Sequence, residues 1–171
     1  MNQDEIRIGA IRKLWPSEEE AYLAHLLRLD PTGRRNRYGV AVSDDFLRSY
    51  ARTAFSSDSI VFGYVEDGVV RGAAELRGLD DSATDVAEAA FSVEDGWRRR
   101  GIGASLFHSL INAARNRGHG RLYMTCLRSN FAMQGLARKF NARLLPESED
   151  VECRLDAGGA TPVSLIEEAF E

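Results

Sequence analysis

Short segments of alternating or continuous hydrophobic residues predict the strands of a sheet. The Asp67-Gly68 dipeptide between two of them is a strong hairpin signal. The segment 122–127 is almost continuously apolar, which is typical of a strand buried between parallel neighbours. The predicted strands are 6–11, 60–65, 69–76, 85–93 and 122–127, with weaker ones around 144 and at 151–155.

Apolar residues spaced three and four apart predict the helices. A capping box from Ser17 to Glu20 marks the start of the first helix, and Gly118 ends the longest one. The segment 30–38 contains Pro31 and Gly33 and predicts a loop. Two predicted helices start near 17 and near 43. Three more span 102–118, 131–140 and 161–170, the last being a short C-terminal helix.

The order of these elements, β-α-α-β-β-β-α-β-α-β, predicts the fold class. A strand, a crossover helix and a second strand make the middle of the sheet parallel. We therefore expect an α/β (α+β) fold whose mixed central sheet has a parallel pair at its centre and is flanked by helices. We expect one domain over 1–171, with the short helix near 161–170 at its end. Ligands of such sheets bind beyond the carboxyl ends of the parallel strands.

The segment after the strand 85–93 combines three arginines with two glycines. Gly101 and Gly103 let the backbone approach a ligand closely, and the following helix offers unpaired N–H groups and a positive dipole end. These features predict a site for a phosphate or pyrophosphate. Two known phosphate loops do not match. The sequence has no Gly-Lys-Ser/Thr triplet, and Leu106 replaces the third glycine of the dinucleotide fingerprint.

The pattern that remains, Arg98-x-x-Gly101-x-Gly103 after a strand, resembles the pyrophosphate loop of the GCN5-related N-acetyltransferases, the GNAT superfamily. The resemblance covers nearly the whole chain and is strongest from 87 to 142. The strand Ala87-Glu88-Ala89-Ala90-Phe91-Ser92-Val93 and the following Asp95-Gly96-Trp97-Arg98 are especially similar to the catalytic domain of Pat-type bacterial protein lysine acetyltransferases. Asn130-Phe131-Ala132-Met133 resembles the start of the family's last helix.

The resemblance implies a GNAT fold and acetyl-CoA as co-substrate, with a primary amine as acceptor. It further implies that the backbone of Phe91 and Val93 pairs with the pantetheine amides and that Asn130 bonds the pantetheine arm. An N-cap role is the alternative for Asn130. The expected pyrophosphate site is formed by Arg98, Arg99, Arg100, Gly101, Ile102, Gly103 and Ala104.

The acceptor amine must lose a proton before it attacks a thioester. With an amine pKa of about 10.4, this costs about 4 kcal/mol at neutral pH, so a general base is useful. Glu88 is the first candidate, because its strand is apolar and it lies where Pat-like relatives have their base. Glu75 is the second, since a turn centred near Asp81 would bring Glu75 and Glu88 nearly opposite on one face. Many relatives carry a tyrosine as general acid where this chain has Ala137, so an acid must come from elsewhere or from water.

Charge is unevenly distributed along the chain, which carries 22 Lys and Arg against 26 Asp and Glu. The segment between Arg98 and Pro146 contains many basic residues and no acidic one. The basic segment suits polyanionic CoA, and the acidic remainder suits a cationic acceptor. The basic segment lacks interleaved aromatics and a recognisable nucleic-acid module, so nucleic acid is not the expected partner.

The remaining features narrow the class of protein. No apolar run is long enough to span a membrane and the N-terminus is polar and acidic, so we expect a cytoplasmic protein without membrane contacts. Cysteine and histidine spacings give no metal site. The short C-terminal helix can pack on its own domain or on a partner subunit, which leaves a homodimer open. We expect an N-acetyltransferase for protein lysine or for a small amine; the alternative is a non-catalytic acyl-CoA-binding sensor.

Overall fold

A computed structural model describes residues 9–78 and 85–171. The strands are β1 Ala10–Leu14, β2 Ser59–Glu66, β3 Val69–Gly78, β4 Val86–Val93, β5 Arg121–Leu127, β6 Arg143–Pro146 and β7 Asp150–Asp156. The helices are α1 Glu19–Arg28, α2 Pro31–Tyr38, α3 Asp44–Thr53, α4 Ile102–Asn116, α5 Phe131–Lys139 and α6 Pro162–Ala169. Short 3-10 turns precede α1 and follow β4.

The strands form a single mixed sheet in the order β1-β2-β3-β4-β5-β7-β6. The pair β4–β5, joined through α4, is parallel, and the other described pairs are antiparallel. The predicted fold class, with a parallel pair at the centre of a mixed sheet, is therefore confirmed. The glycine loop follows β4, the first strand of this pair.

Helices cover the two faces of the sheet unequally. On one face, α4 and α5 pack on apolar residues of the central strands, such as Leu76, Ala89 and Met124. On the other face, α1 and α3 pack on the first strands through residues such as Leu26 and Val61. Strand side chains alternate between the faces, so Glu75 and Glu88 point to the face of α1 and α3. The helix α2 lies on this second face against β4 and β5.

The prediction of a loop at 30–38 was wrong, because most of that segment forms α2. The Asp30 side chain accepts the Gly33 N–H at 3.2 Å and caps the helix, and Pro31 occupies a first-turn position where its missing N–H costs nothing. Gly39 ends the helix in the left-handed conformation, with φ of 77°. Pro31 and Gly39 therefore mark the two ends of this helix, and Gly33 lies within its first turn.

Two further predictions fall partly outside the described residues. The first strand was placed at 6–11, whereas β1 spans Ala10–Leu14; residues 6–8 lie outside the described part of the chain. The turn predicted near Asp81 also lies outside it. The register of the flanking strands is described, and it sets Glu75 opposite Ala90 and Arg77 opposite Glu88. The two glutamates thus share a face but are offset by two residues.

The C-terminal helix packs on its own domain. Asn116 Nδ2 donates to Ser164 O at 2.9 Å, and Asn112 Nδ2 donates to Glu167 Oε2 at 2.7 Å, so the polar face of α6 lies on α4. The helix α6 thus lies within the predicted range 161–170, and its polar side contacts α4 of the same chain. Thr161 caps the helix by accepting the Ser164 N–H at 3.0 Å.

Candidate active site

The parallel strands β4 and β5 separate directly after Glu88. Their register consists of the pairs Val86–Arg121, Ala87–Leu122 and Glu88–Tyr123, and both strands then continue without pairing to each other. A cavity of about 90 Å³ lies in the resulting gap. It is lined by Asn36, Arg37, Glu88, Ala89, Ala90, Phe91, Met124, Thr125, Cys126, Asn130 and Met133.

The backbone direction of β4 matches the predicted contacts of Phe91 and Val93. Glu94 donates its N–H to Arg71 O on β3 at 3.0 Å. Because strand residues alternate in the direction of their N–H and C=O groups, those of Phe91 and Val93 point the other way, into the gap. The groups of Phe91 and the N–H of Val93 can therefore pair with an extended amide-bearing ligand as a neighbouring strand would, whereas Val93 O already accepts a hydrogen bond from Arg98 Nε. The contacts themselves stay a prediction.

The glycine loop presents free backbone N–H groups at the open end of this gap. Gly101 has φ of 82°, the left-handed conformation that glycine adopts without strain, and α4 begins at Ile102. Within the described ranges, no side chain caps the helix. The N–H groups of Ile102, Gly103 and Ala104 thus point outward at the positive end of a 15-residue helix. This arrangement fits a pyrophosphate.

The three arginines of the loop differ in their surroundings. Arg98 is bonded within the protein: its Nε donates to Val93 O at 3.1 Å, and its Nη2 lies 2.6 Å from Asp30 Oδ1. Arg99 is exposed and has φ of 61°. Arg100 is exposed and lies over the ring of Trp97, 5.6 Å from its centroid. Arg99 and Arg100 are thus the two side chains positioned to move onto a bound polyanion.

Glu88 lies at the closed end of the gap and is half-buried. Asn36 and Arg37 of α2 line the same cavity on the second face of the sheet. Beside Glu88, burial raises the pKa of Tyr123, with further contributions from the negative charges of Glu88 and Glu152. The Tyr123 hydroxyl therefore stays protonated at neutral pH. A carboxylate, a guanidinium and a phenol thus surround the end of the gap.

Glu75 belongs to a buried cluster that ties three helices to β3. Its Oε1 accepts hydrogen bonds from the Tyr22 hydroxyl and, at 2.8 Å, from Arg37 Nη2, while its Oε2 accepts one from the Tyr50 hydroxyl at 2.7 Å. Glu75 would have to break these contacts to receive a proton from a substrate. The cluster therefore indicates a structural role for Glu75, and Glu88 is the better candidate base.

Burial and charge have opposite effects on this cluster. Burial lowers the pKa of Arg37, but Glu75 and the surrounding phenols together raise it by a larger amount. The pKa of Arg37 therefore lies well above its usual value. Burial also raises the pKa of Tyr50 to about 12. At neutral pH the guanidinium is thus charged and the phenol is protonated. Sequence reasoning missed Arg37 and Tyr50 as site residues, although Asp30-Pro31 and Gly39 together signal the helix that carries Arg37.

Asn130 and Ala137 lie on α5 beside the gap. Asn130 Oδ1 accepts the Met133 N–H at 3.1 Å and so caps the helix, while the residue also lines the cavity. Its Nδ2 group remains available as a donor to a ligand. Ala137 is fully buried and has no hydroxyl. Among the described residues there is no cluster of His, Cys, Asp and Glu that could hold a metal ion, and no helix is long and apolar enough to cross a membrane.

The chain belongs to the acetyltransferase (GNAT) family, whose family model matches residues 13–142. The matched segment thus contains both the glycine loop and the two parallel strands that separate after Glu88. None of the curated proteins compared with the chain matches it significantly.

Solved structures share the fold at low sequence identity. The GNAT domain of S. lividans PAT superimposes with a TM-score of 0.76 at 17% identity, covering 86% of this chain and 90% of that one. The ribosomal-protein-S18-alanine N-acetyltransferase of Escherichia coli gives 0.68 at 17% identity, covering 91% and 97%. The PaiA N-acetyltransferase of Thermoplasma acidophilum, solved in complex with coenzyme A, gives 0.65 at 16% identity, covering 86% and 98%.

Proposed function

We propose that the protein transfers the acetyl group of acetyl-CoA to a primary amine, the side chain of a lysine in another protein, by direct attack with Glu88 as general base. The observation that carries this proposal is the separation of β4 and β5 directly after the Glu88–Tyr123 pair. A ligand that lies along the gap from the glycine loop ends beside the Glu88 carboxylate.

Each part of the site has one task in this proposal. The amides of Ile102, Gly103 and Ala104 bind the pyrophosphate, and the backbone of Phe91 and Val93 orients the pantetheine. Acetyl-CoA supplies a thioester carbonyl as electrophile. Glu88 accepts the proton of the acceptor ammonium, directly or through one water, and thereby frees the nitrogen lone pair for attack.

Beyond the helices α1, α2 and α3, the second face of the sheet has exposed residues on β5 and β7, which favours a protein acceptor over a small amine. On this face Tyr123 is only half-buried, and Thr125 and Arg154 of the neighbouring strands are exposed. The helix α5 packs on β6 and β7 from the opposite side. An enzyme for a small amine needs an enclosed pocket, whereas an exposed polar face beside the base accommodates an extended chain segment.

An acetyl-transfer assay tests the proposal. Purified protein is mixed with acetyl-CoA and lysine peptides, and in parallel with small amines of similar basicity; free CoA and acetylated product are both measured. We expect acetylated lysine at a rate above the uncatalysed reaction. Transfer to small amines with none to peptides would contradict the protein acceptor, and thioester binding without transfer to any amine would contradict the enzyme.

The second candidate function is a non-catalytic acyl-CoA sensor, which the buried Ala137 favours. At this position the protein offers a methyl group, so a leaving thiolate receives no proton from it. A sensor would bind acetyl-CoA and CoA with different affinities and turn neither over. Calorimetry with both ligands, together with the transfer assay, separates the two functions.

A further inference from the structure

A row of polar side chains crosses the sheet from Glu88 to its edge. The row consists of Glu88 on β4, Tyr123 on β5, Arg154 on β7 and Arg143 on β6, each paired with the next. Partners in neighbouring strands point to the same face, and strands lie about 4.8 Å apart. The backbone of Arg154 is therefore about 10 Å from that of Glu88, and the backbone of Arg143 about 15 Å.

The surface at this end of the sheet is positively charged. A cavity of about 890 Å³ lies here and is lined partly by apolar residues. Its charged lining consists of two acidic side chains, Glu152 and Asp156, and of the basic side chains of Arg121, Arg143 and Arg154 from the sheet and of Arg115 and Lys139 from α4 and α5 on the first face. The sequence had predicted acidic surroundings for the acceptor. The strand order explains the difference, since β5 and β6 carry part of the basic segment 98–146 onto the face beside Glu88.

The arginines of this surface are not all neutralised to the same degree. Arg121 Nη2 lies 2.6 Å from Asp85 Oδ1, and Arg154 is paired with Glu152 through its Nε, which leaves its two terminal nitrogens free of that contact. In the described part of the chain, Arg143 and Lys139 take part in no ion pair. Arg143 is exposed at the edge of the sheet.

We propose that Arg143 and Arg154 bind a carboxylate of the acceptor, so that the preferred acceptor is a lysine with acidic residues close to it in an extended segment. This inference rests on the proposed function. A strand rises about 3.3 Å per residue, so a carboxylate two to five residues from the lysine lies about 7–17 Å away. That range matches the distance from Glu88 to the two arginines. Binding at this surface would place the lysine amine beside Glu88.

Three matched peptides test the inference. They share one lysine and blocked ends and carry Glu, Gln or Arg at the neighbouring positions. We expect kcat/KM to fall about three- to tenfold from the Glu to the Gln peptide and further to the Arg peptide, mostly through KM, as contacts between exposed charges are modest and screened by salt. Equal rates for the three peptides, or a preference for Arg, would overturn the inference while the proposed function stands.

Charge reversal identifies the residue responsible. Arg143→Glu should remove the preference for the Glu peptide or reverse it, with KM for acetyl-CoA unchanged. Arg48→Glu is the matched control, because Arg48 is exposed on α3, away from this surface. This substitution changes the net charge by the same amount. If both variants alter peptide preference equally, the effect is one of net charge and the inference fails.

Peptide binding separates this inference from the proposed function. Fluorescence anisotropy of labelled peptides in the presence of CoA, which cannot acetylate them, measures affinity without turnover. If no peptide is acetylated, the proposed function fails, and anisotropy alone decides the inference. Tighter binding of the Glu peptide that Arg143→Glu abolishes supports it, and equal binding of all three peptides overturns it.

Discussion

Arg98 Nη2 lies 2.6 Å from Asp30 Oδ1, so the first arginine of the glycine loop is bonded to the residue that caps α2. The same carboxylate oxygen accepts the Gly33 N–H at the start of α2. Arg98 also binds the carbonyl oxygen of Val93 at the end of β4. One guanidinium thus connects the expected CoA loop to the helix that lines the cavity beside Glu88.

We expect Arg98 to act mainly in stability and Arg99 in ligand binding. Arg98 and Asp30 are 30% and 36% exposed, so their pair contributes at most about 1 kcal/mol. Asp30→Ala should cost about 1–2 kcal/mol in the free energy of unfolding, since it also removes a helix cap. Arg99→Ala should lower CoA affinity and leave stability unchanged. Chemical denaturation of alanine variants of Arg98, of Asp30 and of both measures the coupling free energy between the two side chains. Strictly additive losses in the free energy of unfolding would contradict a coupled pair.

Gly103→Val should abolish CoA binding without unfolding the protein. A Cβ at this position would meet only Leu136 Cδ2, at 3.5 Å, so the protein itself tolerates a side chain there. The side chain would instead occupy space next to the exposed amides of α4. Calorimetry measures the affinity, and circular dichroism checks the fold. Gly135→Val on α5 is the control, because a Cβ there meets no heavy atom within 4 Å and a side chain is likewise tolerated. Retained CoA affinity in Gly103→Val would argue against this pyrophosphate site.

Glu75→Gln should destabilise the fold strongly. The Arg37–Glu75 pair is almost fully buried, with side-chain exposures of 8% and 5%. Removing one member of a buried ion pair leaves the other charge uncompensated and costs about 3–5 kcal/mol. Urea denaturation should show this loss in Glu75→Gln, whereas Glu88→Gln should stay within about 1 kcal/mol of the wild type. Similar losses in both variants would show that Glu75 is not the structural carboxylate of the pair.

A second buried network predicts acid destabilisation. His25 is fully buried, with Nδ1 3.2 Å from Glu94 Oε1 and Nε2 2.9 Å from Ser92 Oγ. Burial lowers the pKa of His25, and the hydrogen bond with Glu94 offsets this only in part. Burial raises the pKa of Glu94, but contacts with His25, Arg28 and Arg71 lower it by more. Both groups therefore bind fewer protons in the folded state than in the unfolded one.

The free energy of unfolding should consequently fall as the pH drops. The unfolded chain protonates His25 near its ordinary value of 6.5, so stability is lost below that pH by up to about 1.4 kcal/mol per pH unit. The contribution of Glu94 is present above its ordinary value of 4.5 and is lost only as the pH falls further, through its lower folded pKa. Thermal melts between pH 7.5 and 5.5 measure the first loss. It should shrink in His25→Gln and persist in His108→Gln, where the histidine is exposed on α4; an unchanged profile in His25→Gln would assign the loss to other groups.

Periodicity was sufficient to predict the centre of this fold. The apolar segment 122–127 and the glycine loop each gave one clear pattern, and β5 and α4 lie where they were expected. The prediction for the segment 30–38 was wrong because helix α2 is mostly polar. It is stabilised by its caps and by the contact of Arg37 with Glu75, which lies on the distant strand β3. No local pattern reveals such a contact.

The site was predictable as far as it depends on one segment. Glu88, Phe91 and Val93 share β4, so their spacing alone places them along the gap. The offset between Glu75 and Glu88 depends on the register of β3 and β4, which the sequence gives only to within a residue or two. The basic surface near Arg143 depends on strand order, because β6 is the last strand beyond β7. Long-range pairing therefore accounts for what sequence reasoning missed.

The role of Glu88 is tested by its isosteric replacement. Glu88→Gln keeps the size of the side chain and removes the proton acceptor, so CoA affinity should be unchanged while turnover with a lysine peptide falls about 10²–10⁴-fold at neutral pH. The deficit should shrink as the pH approaches the amine pKa of about 10.4, because the acceptor then loses its proton to the solvent. Steady-state rates from pH 6.5 to 9.5 measure this, with Glu20→Gln on the exposed side of α1 as control. A deficit that stays constant with pH would mean that Glu88 positions the substrate without accepting its proton, and near-normal turnover at neutral pH would move the base to a water chain.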